Sequence, residues 1–433
     1  MARKSRVPLN VLMNGRMVGQ LRQASGGAID FRYHQAWLEL ENAIPVSLSL
    51  PLREDRYTGD PVVAVFDNLL PDSKEIRKKL AGRSQAQGTD VFSLLSATGR
   101  DCIGALQFLP DGLPAGNSGA ISGRSISDDE IATMLANLHR DPLGVGDDSE
   151  FRISLAGMQE KTALLFWNSQ WHVPHGTTAT THIFKPAIGK LLSGIDLTQS
   201  VENEYLCLKL VSALGIPTAK AEMAQFGETK VLVVERFDRL WTKDRRLLRL
   251  PQEDCCQALS VPSHLKYQSD GGPGISDISG LLQGSDTPEA DRHHFLKAQI
   301  IFFLLCAADG HAKNFSLMLE SGGRFHLAPL YDVMSAQPNL DAGQIQKQQA
   351  RLAMSVGKNR HYIIGELVAR HFAQSAALCK IPAQTFESIV SELRDGASDA
   401  IDSVLAQLPA GFPEPLATSI TTAAKVRLAK LIP

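Results

Sequence analysis

The chain has no long apolar run, no strong net charge and no closely spaced pair of cysteines of the C-x-x-C type. Its longest nearly apolar stretch, "AQIIFFLLCAA", is too short to cross a hydrocarbon layer of roughly 30 Å, so we expect no membrane partner. A net charge of −2 excludes a strong field for nucleic acid over the whole molecule. The scattered cysteines are predicted to be buried thiols, with disulfides or zinc as the alternative.

The start of the chain is basic but lacks the apolar core of a secretion signal. In "MARKSRVPLNVLMNG", Asn10 and Asn14 interrupt the apolar residues, so we expect no signal peptide and a cytoplasmic location. The chain has 433 residues, of which 44% are hydrophobic and 21% charged. These values predict a globular protein of two or three domains.

The order of patterns along the chain predicts mixed α and β structure. Asn14-Gly15 between two β-prone runs predicts a hairpin, and "DNLLPDSKEIRKKLA" and "DVFSLLSATGR" predict short helices. Residues 110–125 are rich in Gly, Ser and Pro and predict a linker or mobile loop. Strands at "KTALLFW", "THIFK" and "KVLVVERF" follow, with a helix at "SVENEYLCLKLVSALGIP", and from about residue 288 the periodicity is almost wholly helical. We expect domains at 1–110, 111–240 and 241–433.

The stretch "FLLCAADGHAKNFSLML" interrupts an apolar helix with an acid, a base and an amide. Asp309 and Asn314 are five positions apart, the separation by which protein kinases place the acid that orients the accepting hydroxyl and the amide that binds Mg²⁺. Asp332 follows 18 residues beyond Asn314, at the end of a β-like run, where a second Mg²⁺ ligand is expected. The alternative is that Asp309 only caps a helix.

Phosphate groups would need a cation and backbone N–H donors, yet the chain has no G-x-G-x-x-G and no Walker motif. Lys185 in "THIFKP" is a cation on a predicted strand, and Glu202 or Glu204 on the following helix is placed to pair with it. In "FRISLAGMQEKTALL" the small residues Ala156 and Gly157 permit a backbone nest for phosphate. A plain loop is the alternative interpretation of this turn.

The segment 344–380 is locally basic. Its charged residues are Lys347, Arg351, Lys358, Arg360, Arg370 and Lys380, against Glu366 as the only acid. The segment is interpreted as a solvated basic face or as a surface that contacts a phosphate backbone.

Ten segments, in this order, resemble the HipA family of bacterial serine/threonine kinase toxins. They are "FDNLLPDS", "GRDCIGALQF", "FRISLAGMQEKTALL", "THIFKP", "VENEYLCLKL", "VERFDR", "LRLPQEDCCQ", "KYQSDGGPGI", "DGHAKNFS" and "PLYDVMSA". The resemblance spans about residues 10 to 410. It implies an α+β fold, with a mixed α/β N-terminal part and a mostly α-helical C-terminal lobe related to protein and lipid kinases.

The resemblance also implies roles for the matching residues. Asp309 would be the catalytic base, and Asn314 and Asp332 would bind Mg²⁺. Contacts to ATP are implied for the phosphate loop Ala156, Gly157, Met158, Gln159, Glu160 and Lys161, for Lys185, for the hinge Glu235, Arg236 and Phe237, and for His311, Ala312, Lys313, Asn314, Tyr331 and Asp332. The alternative for the hinge is an ordinary strand end. Ser154 would be autophosphorylated, which switches such kinases off.

The partners implied by the resemblance are a small helix-turn-helix antitoxin (HipB-like), operator DNA reached through the antitoxin complex, and glutamyl-tRNA synthetase as the phosphorylated target. The expected role is the toxin of a toxin–antitoxin module, which arrests translation and produces dormancy, and co-repression with its antitoxin. Lys380 is the candidate for direct DNA contact, although Ala377 stands where a related protein has a lysine. Two alternatives remain: a co-repressor whose kinase has decayed, and a small-molecule phosphotransferase.

Overall fold

The computed structural model describes residues 6–145 and 151–431, so the basic start of the sequence, residues 1–5, lies outside the described residues. The strands are β1 Leu9–Met13, β2 Arg16–Gln23, β3 Ile29–Tyr33, β4 Tyr57–Thr58, β5 Leu106–Pro110, β6 Gly123–Ser125, β7 Thr162–Trp167, β8 Gln170–Pro174, β9 His182–Pro186, β10 Gly189–Lys190, β11 Asp196–Leu197, β12 Ala221–Phe226, β13 Thr229–Glu235, β14 Arg239–Trp241, β15 Leu247–Arg249, β16 Gln252–Asp254, β17 Ser316–Leu319, β18 Phe325–Leu327, β19 Arg351–Val356 and β20 His361–Ile363.

The helices alternate with these strands in the first half of the chain and dominate its end. They are α1 Gln35–Leu38, α2 Asp60–Asp67, α3 Lys74–Arg83, α4 Val91–Thr98, α5 Asp128–Ala136, α6 Ser200–Ala213, α7 Cys255–Ala258, α8 Ile275–Leu281, α9 Pro288–Leu305, α10 Gln337–Asp341, α11 Ala369–Leu378, α12 Ala383–Ala406 and α13 Glu414–Ala429. No helix in the described ranges is both long enough and apolar enough to span a membrane.

The chain forms two compact units. Unit 1 contains the described residues up to Pro186, together with Ala224–His264 and Leu317–Phe325. Unit 2 contains Ala187–Met223, Leu265–Ser316 and the described residues from His326 onward. The division at residues 110 and 240 stays a prediction.

Unit 1 begins with the predicted hairpin. Asn14 and Gly15 have positive φ values of 48° and 77°, the conformation of a tight hairpin turn, and β1 pairs antiparallel with β2. The first sheet has the strand order β4-β3-β2-β1-β5, and a second sheet places β13, β9, β7, β8 and β6 side by side. The predicted linker at 110–125 ends in the exposed edge strand β6.

The two short helices predicted in unit 1 are confirmed, together with their caps. The Ser73 side chain accepts a hydrogen bond from the Ile76 N–H at the start of α3, and the Asp90 side chain accepts one from the Ser93 N–H at the start of α4. The helix α4 ends at Thr98, and Gly99 caps it at the position where the sequence predicted the end.

Unit 2 is built around α9, whose apolar residues are buried on all sides of its second half. The rings of Phe295 and Phe315 lie 4.9 Å apart, and those of Phe303 and Phe372 lie 5.4 Å apart, so α9 packs against later segments of the same unit. The prediction of nearly continuous helix from residue 288 is wrong over residues 316–363, where β17 to β20 lie. These strands are too short to produce a clear alternation in sequence.

Glu253 is a fully buried carboxylic acid in β16 of unit 1. Its Oε1 accepts a 2.8 Å hydrogen bond from the Leu48 N–H, whereas its Oε2 is buried without a partner in the described part of the chain. Burial raises the pKa of Glu253 to about 8, which keeps the folded side chain protonated at neutral pH.

This proton makes stability depend on pH. Below the ordinary pKa of 4.5 the carboxyl is protonated in both the folded and the unfolded chain, and its full contribution is present. Stability is then lost as the pH rises through the folded pKa of about 8, because the unfolded chain ionises first.

We expect Glu253→Gln to gain several degrees in melting temperature over the wild type between pH 5 and pH 8, roughly 2–4 °C for each kcal/mol. Thermal denaturation followed by circular dichroism measures this difference. The exposed Glu41→Gln is the control. If the melting-temperature difference between Glu253→Gln and the wild type does not change with pH, the raised pKa of Glu253 is wrong.

Candidate active site

The candidate phosphate loop, Ala156–Lys161, lies in unit 1 and is closed by its own lysine. The Lys161 Nζ donates a 2.8 Å hydrogen bond to the Ala156 carbonyl, and Gly157 has a φ of 101°. This φ angle favours glycine, and a Cβ here would also displace the flexible end of Lys161, whose Nζ would lie 2.7 Å away. The Gly157 carbonyl accepts a 3.0 Å bond from the Asp72 N–H, which fixes the loop from the other side.

The phosphate loop is also connected to the strand that carries the candidate lysine. The Gln159 Nε2 donates a 3.0 Å hydrogen bond to the carbonyl of Pro186, the last residue of β9. Lys185 precedes it in β9 and is 8% exposed. Met158 and Glu160 are exposed. Unit 1 therefore joins the loop to the strand that carries Lys185, and the binding of ATP phosphates by these two groups stays a prediction.

Ser154 is fully buried three residues before Gly157. Its hydroxyl donates a 2.9 Å hydrogen bond to the Leu69 carbonyl, and its N–H donates a 2.9 Å bond to the Asp101 carbonyl. The hydroxyl in this conformation is a structural donor that solvent does not reach.

The candidate hinge, Glu235 to Phe237, begins at the last residue of β13. The Arg236 N–H donates a 2.9 Å hydrogen bond to the Thr181 carbonyl, and the Arg236 side chain is 1% exposed. Both groups of Arg236 are thus engaged inside unit 1. The contact of this segment with adenine stays a prediction.

Arg236 belongs to a buried charge cluster that the sequence motifs did not reveal. The Asp101 carboxylate lies 3.3 Å from the Arg236 Nη1, 2.9 Å from the Arg239 Nη2 and 2.8 Å from the Arg249 Nε. Asp238 pairs with Arg236 at 2.7 Å. Burial alone would raise the pKa of Asp101, but the charges of Arg239, Arg249 and Arg236 hold it well below its ordinary value. The carboxylate therefore stays ionised in the interior.

The candidate catalytic loop, residues 309–314, follows α9 in unit 2. The helix ends at Leu305, and Cys306 after it has a left-handed φ of 57°, which redirects the chain. The Asp309 carbonyl accepts two hydrogen bonds, from the His311 N–H at 2.8 Å and from the Asn314 Nδ2 at 2.7 Å. The hydrogen bond from the Asn314 side chain to the Asp309 backbone thus brings the predicted pair together.

The Asp309 side chain is 56% exposed, whereas His311, Ala312 and Lys313 beside it are buried. The Tyr267 hydroxyl donates a hydrogen bond to the Asp309 Oδ1. The His311 Nε2 lies 3.9 Å from the same oxygen. Tyr267 had no predicted role, although it lies in the Gly-rich segment "KYQSDGGPGI", one of the ten that carry the family resemblance.

Tyr331, the residue before Asp332, is joined to the catalytic loop within unit 2. The Tyr331 hydroxyl donates a 2.8 Å hydrogen bond to the Lys313 carbonyl and lies 2.6 Å from the Ser316 hydroxyl. Asp332 follows with a left-handed φ of 59°, a conformation uncommon for a residue other than glycine. The Asp332 side chain is half-buried.

The donors predicted for Mg²⁺ have the right chemistry for it. The Asn314 Nδ2 is engaged with the Asp309 carbonyl, so the amide oxygen is the atom of this side chain that can bind a cation. Over residues 6–145 and 151–431 the structure has no group of three or more His, Cys, Asp or Glu side chains that could hold a metal. Mg²⁺ commonly takes one or two protein oxygens and completes its shell with phosphate and water, which fits Asn314 and Asp332.

The cationic residues of the segment 344–380 are all exposed, in β19, α11 and the loops around them. Lys380 follows the end of α11 with a φ of 56°. Its role in DNA contact stays a prediction.

Comparisons with known proteins show which family this chain resembles. Residues 9–109 match the HipA N-terminal domain, and residues 153–401 match the HipA-like C-terminal domain. The Y4mE protein of Sinorhizobium fredii is 34% identical over 405 residues, which cover 92% of this chain and 91% of that protein. The serine/threonine-protein kinase toxin HipA of Shewanella oneidensis is 28% identical over 356 residues, which cover 78% of this chain and 76% of the toxin.

The fold is also that of a solved structure, the complex of HipA, HipB and operator DNA from Shewanella oneidensis MR-1. The superposition has a TM-score of 0.80 at 24% identity, and it covers 98% of this chain and 96% of that chain. These likenesses define an α+β protein with HipA-like N- and C-terminal domains, as predicted. The chain belongs to the HipA family of kinases.

Removing the Asp101 carboxylate tests the buried cluster. Asp101→Asn leaves three guanidinium groups facing one remaining carboxylate in the interior, so we expect a loss of about 3–5 kcal/mol in the free energy of unfolding. Urea unfolding followed by tryptophan fluorescence measures it. The exposed Asp55→Asn is the matched control and should change stability by less than about 0.5 kcal/mol. Equal effects of the two substitutions would show that the cluster does not stabilise unit 1.

Proposed function

We propose that this chain is a serine/threonine-protein kinase that transfers the γ-phosphate of ATP to a protein hydroxyl, as the toxin of a toxin–antitoxin module. The observation that carries the proposal is the loop 309–314, in which the Asn314 side chain holds the Asp309 backbone and leaves the Asp309 carboxylate exposed. A kinase needs an acid in this position because the accepting hydroxyl must be oriented and relieved of its proton.

Asp309 is the proposed catalytic base. As the acceptor oxygen bonds to the γ-phosphorus, the bond from that phosphorus to the β,γ-bridging oxygen breaks, ADP leaves, and the hydroxyl proton passes to the Asp309 carboxylate. In this proposal the N–H groups of the loop 156–161 and the ammonium of Lys185 bind the ATP phosphates. His311 and Lys313, both buried beside Asp309, are proposed to support the phosphate site.

Mg²⁺ is the proposed cofactor besides ATP, with Asn314 and Asp332 as its protein ligands. When bound, the cation neutralises charge on the phosphate oxygens. The chain's own contribution is the orientation of two oxygen donors, one fixed by the bond from Asn314 to the Asp309 carbonyl and one by the left-handed backbone of Asp332.

The proposed partners follow from the family and from the complex that the fold matches. The related Shewanella structure contains HipA, HipB and operator DNA, which supports a HipB-like helix-turn-helix antitoxin for this chain and co-repression through that complex. Glutamyl-tRNA synthetase is proposed as the substrate on the family resemblance, with arrested translation and dormancy as the result. The exposed cations of 344–380 support a direct phosphate contact that includes Lys380.

Ser154 is proposed as the autophosphorylation site that switches the kinase off. Its hydroxyl now donates to the Leu69 carbonyl in a fully buried position. A phosphoserine carries about −1.5 to −2 charge at neutral pH and three acceptor oxygens, so it would confront that carbonyl without a donor. The modified serine must leave this position and draw the loop 156–161 away from the nucleotide.

Asp309→Gln and Asp332→Asn are expected to abolish phosphoryl transfer while the fold is kept. Both are polar substitutions at a site that works by positioning and charge stabilisation, and the loss should reach at least about 10²-fold. ADP release with Mg-ATP measures transfer, and calorimetry should show weaker ATP binding for Asp332→Asn than for Asp309→Gln. The exposed Asp399→Asn in α12 is the control. If either site variant arrests growth as the wild type does, the kinase explanation of toxicity is wrong.

Phosphorylation of Ser154 is expected to open the loop around it. After incubation with Mg-ATP, mass spectrometry of peptides should find phosphate on Ser154, and trypsin should cleave faster after Arg152 and Lys161 than in the unmodified chain. ATP affinity should fall by a large factor, whereas Ser154→Ala should keep it, at a stability cost of about 1 kcal/mol for the lost hydrogen bond. Equal ATP affinity and equal protease resistance in the two states would show that Ser154 is not the off-switch. Absence of protein phosphate with turnover of ATP would favour a small-molecule phosphotransferase.

A further inference from the structure

The exposed carboxylate of Asp309 accepts a hydrogen bond from a residue outside the catalytic loop. The Tyr267 hydroxyl donates to the Asp309 Oδ1, and the Tyr267 ring stands edge-on to the His311 ring at 4.9 Å and 86°. All three residues belong to unit 2. Tyr267 is half-buried, so the ring is held while the hydroxyl reaches the exposed acid.

The backbone that carries Tyr267 is closed by its own hydrogen bonds. The Tyr267 carbonyl accepts bonds from the Asp270 N–H at 3.1 Å and the Gly272 N–H at 2.9 Å. A Cβ at Gly272 would lie 1.8 Å from the Leu265 carbonyl oxygen, so only glycine permits this closure. The tight turn within "KYQSDGGPG" therefore fixes the position from which the tyrosine side chain projects.

A backbone hydrogen bond joins this turn to the catalytic loop. The Ala312 N–H donates a 3.3 Å hydrogen bond to the Lys266 carbonyl. The Lys266 Nζ lies 5.6 Å from the centre of the Tyr267 ring, a cation–π contact from a buried lysine. The tyrosine is thus held by its neighbour as well as by its turn.

The bonds described for the catalytic loop fix the Asp309 backbone, because His311 and Asn314 both donate to its carbonyl. The Tyr267 hydroxyl bonds to the carboxylate itself. A base that must meet a hydroxyl within hydrogen-bond reach works more efficiently when its carboxylate is held in one rotamer.

We propose that Tyr267 is a positioning residue for the Asp309 carboxylate: its hydroxyl holds Oδ1 and thereby orients the carboxylate for the accepting hydroxyl. This inference rests on the proposed kinase function. The turn formed by "KYQSDGGPG" accordingly fixes the tyrosine that orients the carboxylate of Asp309.

The test is the rate of autophosphorylation as a function of ATP concentration. Tyr267→Phe keeps the ring and its contacts with His311 and Lys266 but removes the donor. We expect the maximal rate to fall about 10–100-fold, the scale of a misplaced reacting group, while the half-saturating ATP concentration changes less than about twofold. Tyr362→Phe in β20 of the same unit is the matched control and should leave both values unchanged.

Three kinetic outcomes overturn the inference while an active wild type still supports the proposed function. The first is an unchanged maximal rate. The second is a higher maximal rate, which would show that the hydroxyl obstructs the acceptor. The third is a fall in rate that comes entirely from weaker ATP binding. If the wild type transfers no phosphate, the proposed function fails, and crystal structures of wild type and Tyr267→Phe decide the inference. A changed or multiple Asp309 rotamer in the variant supports positioning, and an unchanged rotamer refutes it.

Discussion

The ionised carboxylate of Asp101 is the constraint on which unit 1 depends. A buried charge is stable only when it is paired, and three guanidinium groups surround this one at 2.8 to 3.3 Å. Arg236 lies just beyond β13, Arg239 begins β14 and Arg249 ends β15, so one side chain fixes three separate segments. The Asp101 carbonyl also accepts the Ser154 N–H, so the proposed switch is attached to the same point.

In unit 2 a buried helix, α9, is followed directly by a loop that carries an exposed acid, Asp309. The left-handed Cys306 ends α9 three residues before Asp309, and two donors on the Asp309 carbonyl close the loop. The buried apolar half of α9 holds the start of the loop in the interior of unit 2, and the hydrogen bonds to the Asp309 carbonyl fix the conformation of the loop. A general base needs both, because its carboxylate must be reachable by substrate yet fixed in direction.

Several features could be predicted from the sequence because local chemistry determines them. The Asn14-Gly15 turn, the capped helices α3 and α4 and the end of the apolar helix before Asp309 follow from residues close to one another in the chain. The spacing of Asp309 and Asn314 was informative for the same reason, since their bond spans one short loop.

Other features could not be predicted, because they depend on residues far apart in sequence. Asp101 meets Arg236 and Arg249 across separations of 135 and 148 residues, and Tyr267 reaches Asp309 across 42. Nothing in the neighbourhood of Ser154 indicates that its hydroxyl is buried against the Leu69 carbonyl. The strands within 316–363 were missed because segments of three to six residues carry too little periodicity.

The central claim is that this chain moves the γ-phosphate of ATP to a hydroxyl on protein. The most direct measurement incubates the purified chain with Mg²⁺ and either γ-labelled or α-labelled ATP, and counts the label that stays on denatured protein. The account predicts stable incorporation from γ-labelled ATP alone. Incorporation of the α label would indicate nucleotidyl transfer instead, and the absence of any protein-bound label would contradict a protein kinase.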